Sequence, residues 1–89
     1  MSVSGEFRRV LADCTALLER SESGAAPLED ALSRAGRLAA DDLEAAAEQV
    51  LQTLAPGPQG PVFASELEHE EFAKVAEHLG AICRAILGR

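Results

Sequence analysis

The sequence predicts an all-α fold, a small antiparallel bundle of three to four helices with one Pro/Gly-rich loop. Two observations carry that expectation. Apolar residues recur at i, i+3, i+4 and i+7 in three long stripes and one short one. Helix breakers gather in a few places instead of being spread along the chain, and no stretch alternates as a half-buried strand would. Connections this short favour antiparallel neighbours. Residues 1–89 read as a single helical domain.

The first helix, about 4–21, places Val3, Phe7, Val10, Leu11, Cys14, Leu17 and Leu18 on one stripe. At about 100° per residue that stripe is roughly 120° wide. Glu6, Arg8, Arg9, Asp13, Glu19 and Arg20 occupy the remaining surface. Ser4 is the expected N-cap, because its hydroxyl can accept from an unpaired N–H of the first turn. The run Ser21-Glu22-Ser23-Gly24 ends the pattern.

Pro27 suits the first turn of a second helix, 27–36, since its missing N–H has no partner there in any case. Leu28, Ala31, Leu32 and Ala35 form its apolar face. A single straight helix over 27–54 would put Asp42 in the middle of that face, so a break is expected between Gly36 and Asp41. Asp41 and Glu44 then read as a capping box opening a third helix, 41–54. Its stripe is Leu43, Ala46, Ala47, Val50, Leu51 and Leu54, and the run Ala45-Ala46-Ala47 lets a neighbour approach closely.

Residues 55–64, APGPQGPVFA, form the loop. Three prolines and two glycines exclude helix there, and Val62 and Phe63 are expected to anchor it again. The last helix, 66–87, has the strongest stripe: Phe72, Val75, Ala76, Leu79, Ile82, Cys83, Ile86 and Leu87. Two starts are open, a capping box from Ser65 to Glu68 or a hydrophobic staple between Leu67 and Phe72. Gly88 sits where a left-handed C-terminal residue belongs, with Arg89 favourable at the negative end of the helix dipole.

Composition narrows function mainly by exclusion. Eight Lys and Arg against fifteen Asp and Glu give a net charge of −7. Nucleic acid and anionic lipid need a basic footprint, so neither is an expected partner. Aromatic platforms for stacking bases are also scarce, with Phe7, Phe63 and Phe72 the only aromatics. No apolar segment is long enough to span a membrane, no signal peptide is visible, and two cysteines are too few for a disulfide framework. The expected location is the cytoplasm, and the Ala, Leu, Arg, Gly and Pro bias suggests a bacterial source.

No catalytic, metal or cofactor site is expected. His69-Glu70-Glu71-Phe72-Ala73 begins like the zinc motif H-E-x-x-H but has Ala73 where the second imidazole must stand. Cys14 and Cys83 lie mid-stripe and read as small core hydrophobes, with a disulfide between the first and last helices as the alternative. The carboxylates lie on polar faces without a pocket to shift their acidity. Two acidic clusters remain as candidate partner-binding residues: Asp41, Glu44 and Glu48, and Glu66, Glu68, Glu70 and Glu71.

Residues 19–32, ERSESGAAPLEDAL, are locally similar to the small subunit of exodeoxyribonuclease VII. In that family a helix ends in Glu-Ser-Gly and the next opens Pro-Leu-Glu-Glu-Ala-Leu. The resemblance implies a helical accessory subunit without catalytic residues of its own. It stops before Gly36, and the loop and last helix have no counterpart in it. Size and acidity are similar to those of acyl carrier proteins, which present Asp-Ser-Leu at a helix start. Here Ser65 stands between Ala64 and Glu66, so only the serine matches.

The functional expectation is a small acidic protein–protein interaction module, in its most concrete form an immunity- or antitoxin-like neutraliser of a basic partner. The alternative is a non-catalytic helical subunit that self-associates or serves a larger assembly, because a core of this size is marginal alone.

Overall fold

Amphipathic stripes are stable only when another apolar surface covers them. In the computed structural model, which describes residues 3–54 and 61–88, they cover one another. Four helices form: α1 (Val3–Glu19), α2 (Ala26–Leu38), α3 (Leu43–Leu54) and α4 (Glu66–Leu87). The described residues include no strand, only an isolated antiparallel bridge between Ser23 and Val62. Residues 55–60 of the expected Pro/Gly-rich loop, and Arg89, lie outside the described residues.

The helices close into a ring in which α1 packs on α2 and α4, and α3 packs on α2 and α4. Every neighbouring pair is antiparallel. Leu11 of α1 faces Gly36 near the end of α2. Gln49 Nε2 of α3 donates to the Ala31 carbonyl of α2 at 3.4 Å. Leu54 shares a groove with Ala73 and Ala76, whereas Leu43 shares one with Ala85 and Ile86. Leu17 lies beside Val75, and Val3 beside Ile86. The result is an up-down-up-down bundle of 34 × 22 × 20 Å. Its radius of gyration, 12.3 Å, is that of a folded single domain of this length, about 12 Å.

Each helix contributes to one core. Phe7, Cys14 and Leu18 come from α1, Leu32 and Ala35 from α2, Ala46, Ala47 and Val50 from α3, and Phe72, Leu79 and Cys83 from α4. No polar or charged residue is buried among the described residues. Each large side chain of this set contributes about 1.5–3 kcal/mol by leaving water. Ala46 and Ala47 are wholly buried, so α3 meets its neighbours through methyl groups and sits close to them.

The ends of the helices are held by short polar contacts. Ser65 Oγ accepts from the Glu68 N–H at 3.3 Å and caps α4. Of the two starts open to the last helix, the capping serine is the one adopted, since Leu67 is 66% exposed and cannot staple to Phe72. Phe63 takes that place, its ring 5.5 Å from Phe72. Val62 ties the returning chain to the α1–α2 connection: its N–H donates to Ser23 O at 2.8 Å and its carbonyl accepts from Glu22 N at 2.6 Å. Gly24 and Gly88 adopt the left-handed conformation, φ 78° and 73°, which ends helices without a Cβ clash.

Four boundaries differ from the sequence expectation. Ser4 lies inside α1, which already includes Val3. The same helix stops at Glu19, with Arg20 and Ser21 closing a tighter turn onto Leu17 and Leu18. Gly36 does not break α2, which continues to Leu38; Leu11 Cδ2 lies 3.5 Å from where a Cβ would stand, an ordinary contact distance. The α3 cap is Asp42, whose Oδ1 accepts from Ala45 N at 3.1 Å, and Asp41 belongs to the preceding turn.

These assignments have separable consequences. Asp42→Ala and Ser65→Ala should each lower the unfolding free energy by about 1 kcal/mol, while Asp41→Ala stays within about 0.5 kcal/mol of the parent. Gly36→Ala should stabilise by about 0.5–1 kcal/mol, because the helix interior favours alanine and the new Cβ meets Leu11 at ordinary contact distance. Urea denaturation of the four variants checks the set.

Candidate functional site

The two acidic clusters do not form one surface. Glu44 is exposed in the first turn of α3, Glu48 is half-buried one turn further on, and Asp41 stands outside the helix. Glu66, Glu70 and Glu71 are exposed and Glu68 half-buried in the first turns of α4. Because α3 and α4 run antiparallel, the clusters sit at opposite ends of the bundle. Glu44 lies beside Ala85, and the fifteen steps along α4 from Glu70 to Ala85 rise about 22 Å.

What the fold brings together is a different set. The end where α1 finishes and α2 and α4 begin gathers Glu19, Glu22, Glu29 and Asp30 with Glu66, Glu68, Glu70 and Glu71. Asp13 adds to the same half, where among the described residues only Arg20 and Lys74 oppose them. In the other half Arg8, Arg9, Arg34, Arg37 and Arg84 nearly balance Glu6, Asp41, Asp42, Glu44, Glu48 and Glu77. Nearly all of the net negative charge therefore lies in one half of the molecule. Asp30 bonds Arg34 at 2.8 Å across the boundary, an exposed pair that contributes only a few tenths of a kcal/mol.

Part of this concentration has a local cause. Glu29, Glu66 and Glu68 occupy first turns, where the positive end of a helix dipole favours carboxylates. Glu19, Glu22, Glu70 and Glu71 have no such cause. The acidic end also holds Leu67, 66% exposed, and Val62, 51% exposed. The sequence reading missed Glu19, Glu22, Glu29 and Asp30 as companions of the Glu66–Glu71 cluster. Alternating helix direction is the signal that would have found them.

The histidines are separate from one another in their contacts. The His69 ring meets Phe63 edge-on at 5.9 Å, and His78 Nε2 lies 3.7 Å from Glu6 Oε1. Among the described residues no three His, Cys, Asp or Glu side chains converge as metal ligands would. Cys14 and Cys83 are free thiols with no exposed surface. Burial pushes both up from 9.0 to about 11, and for Cys83 the nearby Arg84 offsets this only in part. A thiol so placed disfavours the thiolate that nucleophilic or redox chemistry requires.

Shallow grooves run between the helices. One of about 400 Å³ follows α1 and α2, lined by Ala12, Ala16, Ser33 and Gly36 among others. Another of about 220 Å³ lies between α3 and α4. A third, of about 500 Å³, opens where α1 and α3 begin and α4 ends. No helix among the described residues is long and apolar enough to cross a membrane. Comparison with protein-family models, with curated proteins and with solved structures returns no match.

The thiols give a pH prediction. A thiol raised on folding stays protonated in the native state after the unfolded chain has begun to release its proton. Its contribution to stability is therefore complete below pH 9.0 and lost as pH rises through about 11. The loss is at most on the order of 3 kcal/mol per thiol. Urea midpoints measured from pH 8 to 11 should fall less steeply in a Cys14→Ala/Cys83→Ala variant. A thiol reagent at pH 8 should label the parent only as it unfolds.

Proposed function

We propose that this chain is a small acidic protein–protein interaction module that docks a basic protein surface through its acidic end. The segregation of net charge into one half of the bundle carries the reading. A basic patch approaching that end meets an attractive field before contact, which raises the association rate. Leu67 and Val62 offer apolar contact within the same end, a feature that solvated carboxylates alone would not need. The most concrete form is a neutralising partner of the immunity-protein or antitoxin kind, in which docking covers a basic working surface of the target. Self-association is the weaker reading, because the described part of the chain covers its own core and leaves only Val3, Val62 and Leu67 exposed as large hydrophobics.

The test follows the asymmetry. The tagged protein is used to capture partners from its source lysate at low and moderate salt, and the association rate with any purified partner is then measured against salt. We expect a basic partner whose association slows at least tenfold with rising salt or on reversal of Glu66, Glu70 and Glu71 to lysine, whereas Glu44→Lys at the other end has a smaller effect. Association insensitive to salt and to the triple reversal would overturn the reading. So would a homo-oligomer by light scattering that captures nothing.

A further inference from the structure

We draw no further inference here: the strongest candidate, the shallow face along α1 and α2 where Ala12, Ala16, Ser33 and Gly36 lie between Arg8 and Glu19, is a stripe of small residues, and nothing in the structure shows what covers it.

Discussion

The whole arrangement depends on covering α4. It has 22 residues, a rise of about 33 Å, and the bundle is 34 Å long, so this helix spans the molecule. Its buried residues Phe72, Ala76, Leu79, Gly80, Ile82 and Cys83 require partners along that whole length. α1 and α3 supply them from two sides, and α2 closes the ring between those two. With helices of unequal length, the ring closes because the returning segment before α4 is fixed twice. Val62 pairs with the Glu22–Ser23 backbone, and Phe63 packs on Phe72. The direction of every helix, and hence which helix ends share a pole, follows from this closure.

Spacing made the stripes legible, because period alone decides which residues face inward. Phe7, Leu11, Cys14 and Leu18, and likewise Phe72, Leu79 and Cys83, fell on the expected faces. The boundaries were less legible for particular reasons. Gly36 reads locally as a breaker, but its cost of up to about 1 kcal/mol in a helix interior is smaller than the gain from burying Leu32 and Ala35 on the same helix. Asp41 and Asp42 are equal candidates for a cap by residue type. The choice rests on the turn through 39–42, in which Asp41 N and Asp42 N both bond Leu38 O. Such a turn is set by how α2 and α3 pack, which the local sequence does not encode.

The candidate site was legible in its total and not in its distribution. A net charge of −7 is a property of the composition, whereas its concentration at one pole is a property of topology. Asp41, Glu44 and Glu48 read in the sequence as one acidic cluster and Glu66, Glu68, Glu70 and Glu71 as a second, and antiparallel packing of α3 on α4 places the two at opposite ends. Conversely, Glu19, Glu22, Glu29 and Asp30 are distant in sequence from Glu66–Glu71 and are brought to the same end by the alternation of helix directions. The third groove was illegible for the same reason: Val3, Leu43 and Ile86 come from three helices, and Leu43 and Ile86 look like ordinary stripe residues until the ring closes.

The antiparallel ring also limits what local electrostatics can explain. At the acidic end α2 and α4 present their positive dipole ends, and α1 and α3 their negative ones, so the macrodipoles largely cancel. Nine carboxylates facing two cations there repel one another, and no buried cation answers them among the described residues. The core must offset that repulsion, in a domain of a size whose net stability is only a few kcal/mol. A fold indifferent to its surroundings would be more stable with the charges interspersed, as they are in the other half. Segregated charge of one sign weakens the isolated chain and strengthens its encounter with the opposite sign. The same physical term thus opposes folding and favours the approach of a surface of opposite sign.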